Sequence, residues 1–253
     1  MRSIKIMGLC LAAVFVMSAV AVASASAAAG VPLFLFSGTA KGFSSVSGPG
    51  TLVQRSNSTE EKNGAEVKCT SDTDNGEIEG TKQTDKVTNV LVVFSGCTSE
   101  VALTKYTCTT AGQPSGTIKT NQLEGQLGYI NLAEKKVGLV LKPKSPATLF
   151  AEFECEHSGS KLAIKVRGEI IGEITPVNKL VDPGEHFTLN YVPNVSANKK
   201  WEQVPKELTV LGEKKTGLLL ESSLSLVSSG EFLFSAIETT DEVFPLQSTF
   251  ICA

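Results

Sequence analysis

Alternation of apolar and polar residues with a period of two constrains this chain most strongly. In "LFAEFECE", residues 149–156, Leu149 and its alternate neighbours share an apolar face, while the glutamates share the opposite face. "KLAIKVRGEI", residues 161–170, repeats the pattern with lysine and arginine outward. Such alternation is typical of strands with one buried and one wet face. The opposite outward charges predict a hairpin across "HSGS", residues 157–160, with cross-strand ion pairs.

Other stretches are apolar on both faces. They include "VTNVLVVFSGC", "VGLVLKP" and "TGLLLESSLSLV". Strands of this kind lie centrally, or inside a sandwich or a closed barrel. Turn residues recur between the candidate strands, as in "SGPG", "PSG" and "VDPGE". We therefore predict an all-β fold, an antiparallel sandwich or barrel of many short strands. "WEQVPKELTVLGEKK", residues 201–215, has some helical character, but Pro205 would interrupt a helix, so we predict a loop with at most one turn.

The N-terminus is typical of an export signal. Arg2 and Lys5 precede an apolar run that ends in "ASASAAAG", which offers small-x-small cleavage sites. We predict a helical signal peptide over residues 1–27, followed by one β-rich domain over residues 28–253. A division near residues 181–184 is the alternative. An uncleaved anchor is the rival interpretation of the apolar run, and a lipid-anchored Cys10 is set aside because Leu9 precedes it.

Charge and hydropathy limit the cellular locations and the classes of partner that we expect for this chain. Loss of Arg2 and Lys5 leaves 21 basic against 26 acidic residues, a net charge of about −5. The basic residues are scattered rather than arranged in a stripe, so we predict no nucleic-acid partner. No later segment is apolar for long enough to be a transmembrane helix. The expected location is secreted or in the cell envelope, with an unidentified cell-surface or extracellular partner.

Five cysteines remain after signal cleavage, and an oxidising compartment predicts that they form disulfides. Zinc is disfavoured because the chain has no CxxC motif and its histidines stand apart from the cysteines. Cys252, next to the C-terminus, is predicted to be the unpaired one. The other four, Cys69, Cys97, Cys108 and Cys155, allow three pairings.

The stretch "CTSDTDNGEIEG", residues 69–80, raises the question of a calcium loop. An EF-hand loop starting at Asp72 would need glycine at its sixth place, but Gly76 falls at the fifth and Gln83 at the twelfth. "DNG" is instead predicted to be a tight hairpin turn, since Asn and Gly tolerate positive φ. We predict no metal site, although a surface cation held by Asp72 and Asp74 stays open.

Catalytic patterns are weak, and we predict no enzyme, no catalytic residue and no cofactor. His157 lies at a predicted hairpin tip, and His186 follows a charged turn, so neither has a serine-activating environment. The alternating glutamates Glu152, Glu154 and Glu156 could suggest a glycosidase, but such a row is usual on a wet strand face.

Several stretches together resemble a group of uncharacterised exported proteins from soil-bacterial genomes. The resemblance runs from about Val67 to Lys179, is most specific in "LEGQLGYIN" and "ITPVN", and has a weaker echo in "ETTDEV". It implies export, a β-rich fold and, from the order of the four cysteines, the pairs Cys69–Cys97 and Cys108–Cys155. It brings no known activity and no functional residue.

The sequence therefore favours an exported, non-enzymatic β-domain with a structural or surface-binding role. A secreted carboxylate-dependent hydrolase is one alternative, which requires two acids converging in a cleft. A sugar- or lipid-binding β-barrel is another, which requires a cavity lined by residues such as Phe150, Phe232 and Phe234.

Overall fold

A computed structural model gives the fold of most of the chain. It describes residues 31–36, 38, 41–47, 52–56, 66–101, 103–195, 201–210, 213–216, 220–224 and 233–253. The predicted signal peptide, residues 1–27, lies outside these ranges. Within them, no helix has the length and apolar character needed to cross a membrane.

The described residues form strands and connecting turns. In chain order the strands are β1 (Leu33–Phe36), β2 (Gly42–Ser47), β3 (Leu52–Ser56), β4 (Glu66–Cys69), β5 (Ser71–Ile78), β6 (Gln83–Thr84), β7 (Lys86–Ser95), β8 (Thr98–Val101), β9 (Thr104–Thr109), β10 (Ile118–Lys119), β11 (Leu123–Asn131), β12 (Lys136–Pro143), β13 (Leu149–His157), β14 (Ser160–Gly168), β15 (Ile170–Thr175), β16 (Leu180–Val181), β17 (Phe187–Val195), β18 (Trp201–Val204), β19 (Leu208–Val210), β20 (Glu213–Lys215), β21 (Leu220–Leu224), β22 (Leu233–Pro245) and β23 (Thr249–Cys252).

Eight of these strands close into an antiparallel barrel. Around the ring the order is β2, β5, β7, β11, β12, β15, β17 and β22, and β22 pairs back onto β2. A ring of this size has an interior just wide enough for side chains to fill. The prediction of an all-β sandwich or barrel is confirmed, and the fold is the barrel.

A second antiparallel sheet continues from the same strand, β22. Its order is β8, β9, β13, β14, β21, β22, β3 and β4, and β4 also pairs with β8 through two residue pairs. Strand β22 leaves this sheet at Glu238, which pairs with Val53, and joins the barrel at Thr239, which pairs with Tyr191. The long strand therefore passes through the junction between the two sheets.

A third, four-stranded sheet holds the C-terminal end of the chain, in the order β16, β23, β1 and β6. Ile251 on β23 is fully buried, and Val181 on β16 is 1% exposed. Both belong to the same hydrophobic cluster as the barrel residues Val87 and Leu127. One core therefore runs through all three sheets.

Two disulfides lie in this core. Cys69 is bonded to Cys97, and Cys108 is bonded to Cys155, which is the pairing that the resemblance implies. Cys108 and Cys155 also face each other in the β9–β13 ladder. The prediction that Cys252 is unpaired is wrong, because its sulfur is disulfide-bonded. Its position near the chain end was a poor guide, since β23 pairs with both β1 and β16.

The predicted hairpin around residues 157–160 is confirmed. β13 and β14 pair in register, with Glu152 opposite Lys165 and Glu156 opposite Lys161. Ser158 and Gly159 make the two-residue turn and have φ values of 48° and 83°, as a turn matching the strand twist requires.

The prediction of a loop over residues 201–215 is wrong in part. β18, β19 and β20 lie there, and Pro205 falls between β18 and β19 rather than inside either strand. Proline removes a ladder hydrogen bond only where it stands within a paired strand. β18 pairs with the preceding strand β17, and β19 pairs with the following strand β20 and, through Thr209 and Tyr129, with β11.

Candidate functional site: a buried acidic cluster

The "DNG" stretch is not a turn, contrary to prediction. Asp74, Asn75 and Gly76 lie in the middle of β5, which pairs with β2 on one side and β7 on the other. A Cβ on Gly76 would overlap the ring of Phe43. The glycine is therefore needed for the close approach of an aromatic side chain on the neighbouring strand, and not for positive φ.

Three neighbouring barrel strands bring three aspartates together. Asp72 and Asp74 share one face of β5, and Asp241 lies on β22. Strand β2 runs between them, with Ser45 opposite Asp74 and Ser47 opposite Asp241. Because the residues of the central strand are small serines, the longer aspartate side chains from both sides can meet above them. Together, Asp72, Asp74 and Asp241 are called the acidic cluster below.

The carboxyl groups of the acidic cluster are close and largely hidden from water. One oxygen from each lies within 4.8 Å of the others. Asp72 is 2% exposed and Asp241 is 4% exposed. Asp74 is partly exposed as a residue, but its Oδ1 is buried.

Hydrogen bonds satisfy only part of the cluster. The Ser45 hydroxyl donates to Asp74 Oδ2 at 2.6 Å, and the Thr239 hydroxyl donates to Asp241 Oδ1 at 3.1 Å. Ser47 Oγ accepts a hydrogen bond from the Asp72 amide at 2.7 Å and so lies close to that carboxyl group. Among the described residues, no donor has hydrogen-bond geometry to Asp72 Oδ1, Asp72 Oδ2 or Asp74 Oδ1.

Burial and mutual repulsion make the charged forms unfavourable. Burial raises the pKa of Asp72 to about 6, although polar interactions of its carboxyl group with the backbone and the hydroxyl of Ser47 lower the pKa somewhat. Burial, together with the charge of Asp72, raises the pKa of Asp241 to about 7. The pKa of Asp74 is raised well above its usual value by burial and then by the charges of Asp241 and Asp72. Like charges in a site of low polarity cannot all ionise without a compensating cation.

A buried tyrosine adjoins the acidic cluster. Tyr191 on β17 is 5% exposed. Burial raises the pKa of its phenol well above 10, and the charges of Asp241, Asp74 and Asp72 raise it further. The phenol therefore stays protonated and can donate a hydrogen bond in this part of the barrel.

The cluster has two chemical options. Its carboxyl groups can share protons, as close acid pairs do, or they can ionise around a bound cation whose charge replaces the missing donors. It is the only group of three metal-ligating side chains found within the described ranges.

The two histidines have the ordinary environments that the sequence predicts. His157 is exposed at the β13–β14 tip, where its Nδ1 lies 2.9 Å from the Lys105 carbonyl oxygen and its ring packs near Tyr106. His186 is exposed after a turn and packs near Phe244. Neither lies beside the acidic cluster in the strand register.

The alternating glutamates form a wet, ion-paired face. Lys161 Nζ lies 2.9 Å from Glu154 and 3.8 Å from Glu156, and Lys165 Nζ lies 3.3 Å from Glu152. All five side chains are at least half exposed. This row matches the predicted solvated face, and it lacks the burial that raises the pKa of a catalytic acid.

Phe150 lines a cavity that is too small for a sugar or a lipid. The cavity has a volume of about 20 Å³ and is otherwise lined by apolar residues such as Phe94, Phe153 and Ile237. That space holds about one water molecule, whereas ligand sites occupy about 300–1,000 Å³. Phe232 and the side chain of Phe234 lie outside the described residues.

Sequence reasoning placed Asp74 in a turn, left open a surface cation held by Asp72 and Asp74, and did not single out Asp241. The signal in the sequence that could have found the cluster is the alternation of inward and outward positions along each strand. Asp72 and Asp74 lie an even number of positions from the buried Ile78 along β5, and Asp241 lies an even number of positions from the buried Ile237 along β22. All three aspartates therefore occupy positions that point inward. An aspartate at an inward position is rare because burying an unpaired carboxylate is costly.

In comparisons with known proteins, no family model, no curated protein and no solved structure matches the chain.

Proposed function

We propose that this protein is exported and serves a structural or surface-binding role in the cell envelope or extracellular space. The observation that carries the proposal is the pair of buried disulfides, Cys69–Cys97 and Cys108–Cys155. Their cysteines are at most 1% exposed. Disulfides form and persist in oxidising compartments and are rare in the cytosol.

The packed interior supports a role for the outer surface. The barrel residues Leu123, Leu127 and Val137 are at most 1% exposed, and they belong to the same ring of strands. A filled barrel presents partners with its outside, because the space inside is taken by its own side chains. The proposal includes membership of the group of uncharacterised exported proteins that the sequence resembles.

The alternative of a carboxylate-dependent hydrolase receives limited support. The acidic cluster brings acids together, as that hypothesis requires, but Asp72 and Asp241 are almost completely buried. A hydrolase acid must touch the scissile bond and a water molecule. The burial of these two aspartates favours a small bound ligand over a polymeric substrate.

Export can be tested with the full chain expressed in a bacterium that has a periplasm. We expect the protein in the periplasm or medium, with a new N-terminus within residues 24–30. Non-reducing peptide mapping should recover the Cys69–Cys97 and Cys108–Cys155 peptides. A matched control lacking residues 2–27 should remain in the cytoplasm.

Two results would contradict the proposal. One is full-length protein in the cytoplasm with these four cysteines reduced. The other is hydrolysis of a defined polysaccharide or peptide that disappears in the Asp72→Asn variant, because that result would make the acidic cluster catalytic.

A further inference from the structure

We propose that Asp72, Asp74 and Asp241 bind a divalent cation, Ca²⁺, at the junction between the barrel and the second sheet. This inference goes beyond the proposed function, since it assigns a ligand to the interior of the fold. It also departs from the prediction of no metal site.

The oxygen spacing fits a calcium ion. Ca²⁺ takes oxygen ligands at about 2.3–2.6 Å, so two ligands on opposite sides of the ion lie up to about 5 Å apart. The three carboxylates each place an oxygen within 4.8 Å of the others. One ion can therefore contact all three without a change in the strand pairings.

The missing hydrogen bonds are a separate observation that points to a ligand. Both carboxylate oxygens of Asp72, and Oδ1 of Asp74, are buried without a donor in hydrogen-bond geometry among the residues that the structure describes. Buried polar atoms in native proteins are almost always satisfied, and an unsatisfied one calls for a specific explanation such as an ion. These atoms belong to a cluster of three adjacent carboxyl groups, and the negative charge that the groups carry once ionised is compensated by a cation and not by an anion.

The neighbouring side chains extend the same oxygen-rich environment. The hydroxyls of Ser45 and Ser47 lie on the strand between the aspartates, and Thr239 precedes Asp241 by two residues on the same face of β22. Hydroxyl and carboxylate oxygens are hard donors that suit Ca²⁺ and Mg²⁺ rather than softer metals. In the part of the chain that the structure describes, no histidine or thiolate joins the cluster, which disfavours zinc.

Calcium fits better than magnesium because of the burial. Mg²⁺ dehydrates reluctantly and usually keeps several water molecules, whereas Ca²⁺ accepts six to eight oxygens in flexible geometry. Asp72 and Asp241 are nearly inaccessible to solvent. A site with little space for water favours the ion that binds protein oxygens directly.

The position suggests what the ion does. Asp72 lies at the start of β5, three residues after Cys69, and it pairs with Phe94, which lines the cavity of the second sheet. Asp241 follows the point where β22 leaves that sheet. A cation shared by Asp72 and Asp241 would therefore tie β5 to β22 across β2 and hold the junction together.

The direct test is calorimetric titration of chelator-stripped, folded protein with CaCl₂ at pH 7.5. We expect one site per chain, with a dissociation constant of about 10⁻⁴–10⁻³ M, as in other extracellular calcium modules. Saturating Ca²⁺ should also raise the melting temperature, because a ligand that binds only the folded state stabilises it. MgCl₂ at the same concentration should bind at least ten-fold more weakly.

Matched variants locate the ion. Asp72→Asn and Asp241→Asn should each weaken Ca²⁺ affinity at least ten-fold and abolish the thermal shift. Asp182→Asn is the control, because Asp182 is an exposed aspartate that accepts a hydrogen bond from Ser248 away from the cluster. It should bind Ca²⁺ like the wild type.

Folding of the variants is checked by circular dichroism in chelator before titration. If Asp72→Asn does not fold, Asp72→Ser provides a second neutral substitution in the same position. The proposal is overturned if the wild-type protein shows neither heat nor a thermal shift up to about 10 mM Ca²⁺. That concentration is about ten times the largest dissociation constant expected of such modules. Wild-type affinity retained in both cluster variants overturns the proposal as well.

Discussion

Replacement of Asp72 by asparagine should stabilise the cation-free protein at alkaline pH. Asparagine keeps the shape of the side chain but cannot ionise. In the wild type, burial raises the pKa of Asp72 from 3.8 to about 6. The folded state therefore holds this proton more tightly than the unfolded state, and ionisation at higher pH weakens the fold.

The magnitude follows from the shift. A difference of about two pH units between the folded and unfolded pKa corresponds to about 3 kcal/mol, at 1.36 kcal/mol per unit. This stability is fully present below about pH 4 and is lost as the pH rises through about 6. The advantage of Asp72→Asn should therefore be near zero at pH 4 and reach about 3 kcal/mol at pH 8 in chelator.

Urea unfolding followed by circular dichroism measures the difference, with chelator present at pH 4, 6 and 8. A shift of this size corresponds to about 6–12 °C in melting temperature for a chain of this length. The control is Glu154→Gln on the exposed face of β13, which should change stability by less than about 1 kcal/mol at every pH. Parallel pH profiles for wild type and Asp72→Asn, or a less stable variant at pH 8, would refute the reasoning.

Three further predictions concern the second sheet and the barrel. Replacing both Cys108 and Cys155 by serine should cost about 4 kcal/mol, because the bond closes a loop with a sequence separation of 47, and urea unfolding under non-reducing conditions checks it. Gly76→Ala should lower stability by about 1–3 kcal/mol, since the new Cβ meets the Phe43 ring, and an unchanged melting temperature would contradict this packing. Lys165→Ala should cost less than about 1 kcal/mol in urea unfolding, because its ion pair is exposed, and a larger loss would mean that the wet face contributes more than its exposure suggests.

Local pattern predicted the strands well where both partners are close in the chain. The β13–β14 hairpin follows from the alternation of residues and from a turn that tolerates positive φ, so its register could be read before the structure was known. The same local reasoning misplaced "DNG", because asparagine and glycine favour turns only when no neighbouring strand imposes extended backbone. Here β2 and β7 pair with β5 on both sides.

The sequence by itself determined the all-β class, since period-two alternation can bury one face only as a strand. It did not determine closure of the barrel, which depends on pairings such as β2 with β22 between opposite ends of the chain. The acidic cluster depends on the same long-range pairing, because Asp72 and Asp241 are separated by most of the chain and meet only across β2. Tertiary structure alone decided that these carboxylates are buried together, because burial depends on the side of a strand that faces the core and on the side chains that its neighbours bring there.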